Sequence, residues 1–367
     1  MDVERILAAT EDIITPVAVV DEAFVERNLA RMAKLAADNH VKLRPHAKTH
    51  KSAYMAQRQM AHGAVGLTCA TFTEAEVFAD AGVGDLLIAH PPVGRPKLER
   101  LAALAARVQR LAVSLDDAGV AKTLPPSVEV LWEVDPGQHR VGTLPGEPTL
   151  KAVKELIGAI GAARFRGLIT HGGHVYAATN QRERQVAAEQ ENQAVTDTAA
   201  MLRQAGIEVR EVSIGSTPTA GLALRDGITE LRPGTYIYGD ANQVTLRSQR
   251  LEDCALCVFA TVVSTPAPDR TVIDAGSKSL SADLRVAGLD GYGLVLGHDD
   301  VTVARLSEEH AVLAHPHQTN LRVGDRLAIV PAHVCTTVNL QPELLLVSPK
   351  DRRWLAVDAR GWQRAVR

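Results

Sequence analysis

Cysteine is scarce and scattered: Cys69, Cys254, Cys257 and Cys335 are the four in 367 residues. No spacing among them frames a disulfide scaffold, which suits a chain of the reducing cytoplasm. Surplus charge is also missing. Lys and Arg number 40 against 43 Asp and Glu, a net of -3, so no basic stripe is left for a phosphate backbone and nucleic acid is not expected as the main partner. The start, MDVERILAAT, is too charged and too short for the apolar core of a secretory leader. Apolar runs are strand-length and broken by polar residues, which argues against any membrane span. A glycine-rich dinucleotide fingerprint near the start is lacking. Internal repeats, low-complexity tracts and an obvious linker are lacking as well.

What is present is the composition of an ordinary soluble protein, 46% hydrophobic and 23% charged, with 27 Gly and 18 Pro. The length is large for one core, so two domains are expected. Eight short apolar runs recur through the first two thirds: HVKLRPHAK, VGLTCA, DLLIAHP, RLAVSL, VEVLWEVD, RFRGLITH, VREVSIGS and ITELRPG. Segments of helical spacing separate most of them, as in FVERNLARMAKLAA. Strand alternating with helix eight times predicts a (β/α)8 barrel of the TIM type, over 15–250. Beyond it lie β-branched runs parted by Asp, Gly and Pro: ALCVFATVVS, RTVIDAG, GYGLVLG, DVTVARL, DRLAIVPAHVCTTVNL and ELLLVS. These predict a C-terminal all-β domain over 251–367, joined by residues 1–14.

Chemistry in such a barrel gathers where strands end. RPHAKTHK places Lys48 at the end of the first strand, since Pro45 keeps Arg44 extended. Arg44, His46, His50 and Lys51 crowd Lys48 in sequence, and neighbouring cations favour the neutral amine that joins an aldehyde. A solvated basic loop is the bland alternative for this segment. VDPGQHRVG leaves a strand through Gly137 and offers Arg140, a planar cation for a carboxylate or a cofactor's ring oxygen. THGGHVY carries His171 and His174 around two glycines, and Tyr176 beyond them; one of the two histidines is expected to be structural. SIGSTPT, with Ser216 and Thr217, reads as a phosphate cradle, which Gly234 and Thr235 of RPGTYIYGD can complete. In PAHVCTTVNL, His333 and Cys335 stand two apart on an expected strand and so share a face. Imidazole plus thiolate suits zinc or a similar divalent ion, held in an open site; a buried cysteine beside a hydrogen-bonded histidine is the alternative. Cys254 and Cys257 are expected in the core.

Taken in order, TPVAVVD, LRPHAKTHKS, ATFTEAEVFADAG, VDPGQHRVG, GLITHGGHVY, VSIGSTPT, ELRPGTYIYGD, VIDAGSKSLS, LSEEH and VPAHVCTTVNL run over nearly the whole chain. The series resembles the D-threonine aldolase and D-serine dehydratase family of fold-type III pyridoxal-phosphate enzymes, whose barrel is like that of alanine racemase. The resemblance implies that Lys48 carries the cofactor as a Schiff base. It implies that Ser216, Thr217, Gly234 and Thr235 hold the phosphate and that Tyr236 lies near the pyridine ring. It also implies that His333 and Cys335 bind a divalent metal, zinc or manganese, and that His171, Tyr176 and Arg140 work beside Lys48. A cytoplasmic homodimer acting on a small D-amino acid is expected on the same ground, with the β domain of one chain helping to close the barrel mouth of the other.

Cofactor and metal together admit two outcomes for a 3-hydroxy-D-amino acid. Removal of the hydroxyl proton breaks the Cα–Cβ bond, a retro-aldol giving glycine and an aldehyde. Removal of the α proton expels the hydroxyl instead, a dehydration giving a 2-keto acid and ammonia, as from D-serine or 3-hydroxy-D-aspartate. Bacterial aldolases of the family carry Asp where this chain has Cys335 and a glycine-rich loop where it has SIGSTPT, which favours dehydratase. The bacterial cast of the composition favours aldolase, and D-threonine aldolase is the expected activity. A metal-free amino-acid racemase is the second alternative.

Overall fold

All eight apolar runs of the first two thirds become parallel strands in a computed structural model that describes residues 3–222, 224–283 and 285–361. In chain order they are Lys42–Leu43, Leu67–Cys69, Asp85–Ile88, Arg110–Leu115, Glu129–Glu133, Phe165–Ile169, Glu211–Ile214 and Glu230–Leu231. Each pairs with its sequence neighbour, and the eighth pairs with the first. The remaining gap is closed by a bridge between His46 and Thr68, whose N–H reaches Pro45 O at 2.8 Å. The result is a closed barrel. Helices return the chain between strands, and their starts carry the expected caps. Asn180 Oδ1 accepts the N–H of Glu183 at 3.0 Å, and Glu183 accepts that of Thr179 at 2.7 Å, which satisfies two donors that open the long helix Gln181–Gln204.

Alternate residues of each strand point inward, and they form distinct layers. Leu87, Ala112, Leu131 and Ile169 make an apolar middle. Beneath it the barrel is filled by charge rather than by branched aliphatics. Arg44 grips Asp85 with two bonds, of 2.7 and 2.9 Å, and Glu230 with one of 2.8 Å. Arg110 reaches Glu129 at 2.6 Å and Glu211 at 2.8 Å, and Arg166 also reaches Glu211, at 3.0 Å. Burial opposes the charge on Arg44, yet the fields of Glu230 and Asp85 raise its pKa above the ordinary arginine value.

The second unit comprises residues up to Ala30 and Thr235–Asp358. Six of its strands close into an antiparallel ring, because Leu256–Ala267 pairs with Arg326–Pro331 on one side and Arg270–Ile273 on the other. Ala311–Ala314, Thr302–Leu306 and Gly293–Val295 complete the circuit. Two boundaries differ from the sequence reading. Val17–Asp21, expected in the barrel, pairs with Leu256 to Phe259 and with Glu343–Val347 in this unit. Its five residues, VAVVD, are all buried, as in a strand covered on both faces, and its one ion, Asp21, meets Arg5 at 2.7 Å. The segment after Gly234, expected in the barrel up to 250, groups here as well.

The expected strand through His333 and Cys335 is also corrected: Pro331 ends the preceding strand, and Val334–Leu340 is a helix with His333 as its N-cap. Local β propensity loses to specific bonds. Asp240 Oδ2 accepts the Val334 N–H at 3.1 Å, and the Thr337 hydroxyl donates to Leu280 O at 2.9 Å.

The buried ions give a direct test of the barrel floor. Arg44→Met leaves Glu230 buried without its cation, and the cost should be about 3–5 kcal/mol in urea unfolding. An unchanged midpoint would show that the floor does not depend on this pair.

Candidate active site

Directly above the apolar layer lies a cavity of about 580 Å³, lined by side chains from the strand ends. Lys48 enters it from the short 3-10 turn Ala47–Thr49 that follows the first strand. Of the four neighbours suggested by sequence adjacency, only His46 accompanies it. Arg44 is turned down to the floor, Lys51 pairs with buried Glu74 at 3.3 Å, and the His50 ring faces Gln59 at 3.1 Å. The groups whose fields meet that of Lys48 in the cavity are His46 and His171. Sequence places residues on a turn, and only the turn's geometry decides which way each side chain leaves it.

Of the three histidines that line the cavity, His46, His90 and His171, the first and last are held neutral. Burial depresses His46 and His171 well below the ordinary imidazole range, and nearby Lys48, Arg232 and Arg140 add to the effect. His171 Nδ1 lies 2.6 Å from Gly215 O, so Nδ1 carries the proton and Nε2 is left as the basic nitrogen. His46 Nδ1 is buried and has no hydrogen-bond partner among the described residues. His174 does not share this cavity; it lines a separate groove with Asn180 and Arg182. Tyr176 sits in the 3-10 segment Gly173–Ala177 and is not among the residues that line the cavity.

Arg140 reaches the cavity from a loop built around Asp135, which accepts the N–H groups of Gly137 at 2.9 Å and His139 at 3.0 Å. Among the lining residues that escaped the sequence reading, two are buried and charged. Glu133 is a buried carboxyl that accepts the Ser114 hydroxyl, and burial raises its pKa against the opposing pull of that bond and of Arg232 and Arg140. Arg232 is buried too; its Nη1 donates to Ser213 Oγ at 2.6 Å and its Nη2 to Thr170 O at 2.5 Å. Ser213 in turn donates to Glu230 at 2.6 Å. The cavity wall is therefore bonded to the ion network below it. Inward alternation along VEVLWEVD marks Glu133, and Arg232 opens a motif already singled out, so both signals were present in the sequence.

Ser216 and Thr217 are buried on the turn after the seventh strand. Gly234 packs so closely that a Cβ there would lie 2.9 Å from Thr49 Oγ1 and 3.2 Å from His46 O. Thr235 and Tyr236, which follow it in the chain, are buried in the β unit, where Thr235 Oγ1 is 3.8 Å from Cys335 Sγ.

In the β unit, His333 and Cys335 do converge, though across a helix N-terminus rather than along a strand. The Cys335 sulfur is in hydrogen-bond contact with the imidazole. Burial opposes a charge on His333, but Cys335, Asp240 and Asp283 outweigh it and push its pKa up to about 10. Asp240, wholly buried, is itself raised to about 6 by burial, less the effect of His333 and of the N–H bonds it accepts. Asp283 Oδ2 lies 2.6 Å from His333 Nδ1, which leaves Nε2 to a ligand, the arrangement usual for a metal-bound histidine. No cluster of three or more possible metal-ligating side chains occurs among the described residues. His333 and Cys335 thus offer two donors, an imidazole and a thiol, of the kind that zinc and similar ions take. Cys69, Cys254 and Cys257 are buried free thiols, as expected of core.

Comparison with known proteins follows the same two-part division. Residues 20–242 match the alanine racemase N-terminal domain, and residues 255–347 match a serine dehydratase domain. The chain is 33% identical to D-threonine aldolase of Arthrobacter sp over 95% of this chain and 93% of that one. It is 34% identical to D-threo-3-hydroxyaspartate dehydratase of Delftia sp. (strain HT23), over 88% and 91%. The solved structure of the Delftia enzyme superposes with a TM-score of 0.86 at 32% identity, covering 95% of this chain and 98% of that one. A variant of it with one cysteine changed to alanine is described in a metal-free form. D-threonine aldolase from Filomicrobium marinum gives a TM-score of 0.84 at 33% identity, covering 95% and 96%.

His50 supplies a pH test of the loop that carries Lys48. Burial lowers its pKa to about 4, against smaller opposing bonds from Gln59 and Ser52. A depressed folded pKa gives stability that is complete above the unfolded value of about 6.5 and is lost as pH falls toward about 4. His50→Gln should therefore lose less stability than the parent between about pH 7 and about pH 5 in urea melts. Parallel losses in the two proteins would contradict it.

Proposed function

Because the chain belongs to the family that joins an alanine racemase-like barrel to a serine dehydratase domain, we propose that it is a pyridoxal-phosphate- and divalent-metal-dependent lyase that cleaves D-threonine or a related 3-hydroxy-D-amino acid to glycine and an aldehyde. The observation that carries the reading is Lys48, presented at a strand end into a cavity between two neutral imidazoles. A cavity of about 580 Å³ suits a coenzyme with a small amino acid. The unpartnered His46 Nδ1 fits a bound polar group, and the tight packing at Gly234 fits a backbone that must approach a ligand closely.

Lys48 would hold the cofactor covalently, and Ser216, Thr217 and Gly234, with Thr235 and Tyr236 following in the chain, would hold its phosphate and ring. Pyridoxal phosphate, when bound, supplies an electron sink for the pair left at the substrate's α-carbon. His333 and Cys335 would hold a divalent cation, zinc or manganese, which supplies Lewis acidity toward the 3-hydroxyl. Arg140 is placed to bind the substrate's carboxylate or the cofactor's ring oxygen. His171 Nε2, neutral and basic, is placed to accept a proton, and the proton it accepts decides the reaction. Taking the hydroxyl proton leads to Cα–Cβ cleavage, and taking the α proton leads to loss of the hydroxyl.

Dehydration is the second reading, favoured by the match of residues 255–347 to a serine dehydratase domain and by the likeness to the Delftia dehydratase. Incubation with D-threonine, D-serine and 3-hydroxy-D-aspartate separates the two by product: glycine, or a keto acid with ammonia. A cytoplasmic homodimer belongs to the same proposal, the scattered free thiols suiting a reducing compartment, and light scattering should give twice the 39.3 kDa of one chain.

Lys48→Ala should abolish both activity and the visible absorbance of the bound cofactor. A borohydride-reducible adduct surviving in that variant would assign the linkage to another lysine. Chelation should stop turnover while leaving the cofactor's absorbance intact, and added zinc or manganese should restore it. Full activity in metal-free protein would overturn the lyase reading in favour of a racemase. Replacing both Ser216 and Thr217 by Ala should weaken cofactor binding before it harms folding.

A further inference from the structure

The long helix Gln181–Gln204 sends one carboxylate inward, and no strand-end motif announces it. Glu191 is fully buried. Its Oε1 accepts the Gly172 N–H at 2.7 Å and the Gly215 N–H at 3.2 Å. Its Oε2 accepts the Thr219 hydroxyl at 2.8 Å. Thr219 Oγ1 lies 2.7 Å from Ser216 Oγ. We propose that Glu191 is the positioning residue of the phosphate cradle, tying the ends of the sixth and seventh barrel strands together and holding Ser216 in the turn through Thr219. The inference rests on reading the 215–219 turn as that cradle.

Counting protons fixes the direction of these hydroxyl bonds. An ionised carboxylate only accepts, and Thr219 has one hydroxyl proton, which goes to Glu191. Ser216 must then donate to Thr219, so its own proton is spent inside the turn, and what the turn offers an anion is its backbone N–H groups. The backbone is held as tightly. A Cβ on Gly172 would collide with the Glu191 carboxylate, so Gly172 admits no side chain while Glu191 stands. Because His171 Nδ1 bonds to Gly215 O, an anchored Gly215 also fixes the imidazole beside Lys48. A buried acid so close to an anion site is costly unless its bonds do something, and here they define the turn.

The test compares two ligands on full-length protein stripped of cofactor: pyridoxal 5′-phosphate, and pyridoxal, which lacks the phosphate. Glu191→Ala should weaken the phosphate ester by about tenfold or more, since three bonds to a charged group are lost. Pyridoxal itself should bind within about twofold of the parent protein. Glu191→Gln should restore most of the loss, because its amide oxygen can take both N–H groups while its NH2 donates to Thr219. Should Glu191→Ala fail to fold, Thr219→Val interrupts the same link from the other end and should show the same selective loss. Equal weakening of both ligands, or no weakening of either, would overturn the proposal. The Ser216/Thr217 double alanine variant separates the two levels of claim. If its preference for the phosphate ester is unchanged, the cradle reading itself fails. If that preference falls there but not in Glu191→Ala, only the role of Glu191 fails.

Discussion

The ion network under the cavity is the constraint on which the barrel depends. Arg44, Arg110 and Arg166 face Asp85, Glu129, Glu211 and Glu230, drawn from seven of the eight strands or their immediate ends. Desolvating so many charges is favourable only when each finds its partner in good geometry. The network therefore penalises a slip of any one strand, because a one-residue shift would point its ion away from the barrel. Branched aliphatic layers give no such penalty, since neighbouring aliphatics are nearly interchangeable in shape.

That floor also explains how a cavity lined by polar groups is held still. Arg232 reaches the network through Ser213, so a cation in the cavity wall is braced from below. Glu191 and the Asp135 loop brace the turn proposed as the anion cradle and the loop that presents Arg140. In each case a carboxylate gathers backbone N–H groups that a strand end leaves unpaired, which spares the functional side chains from that task. Neutral His46 and His171 follow from burial among cations rather than from any special sequence context.

The β unit handles charge by a different device. Asp240 caps its own helix through Gln243 N–H at 2.8 Å and also takes the first N–H of the helix behind His333. One buried carboxylate thus sets two helix starts, and the second of these brings imidazole and thiol together. Asp283 then orients the ring. The convergence of His333 and Cys335 survives the loss of the strand that was expected to produce it, because the extended N-cap turn places the two side chains together.

The pattern of apolar runs was enough to count eight barrel strands, to separate a β-rich second half, and to put Lys48, Arg140, His171, Ser216 and Gly234 at strand ends. Those features depend on period and on local breakers, which are written residue by residue. Tertiary structure alone decided the rest. It gave Val17–Asp21 to the β unit, since a buried, mostly apolar strand fits wherever both faces are covered. It turned the β-branched VCTTVNL into a helix, because one buried carboxylate outweighs modest local preference. It sent Arg44, His50 and Lys51 away from Lys48 and brought Arg232, Glu133 and Glu191 to the site. Adjacency in sequence fixes which residues share a turn, while the direction each side chain takes is set by partners brought from distant parts of the chain.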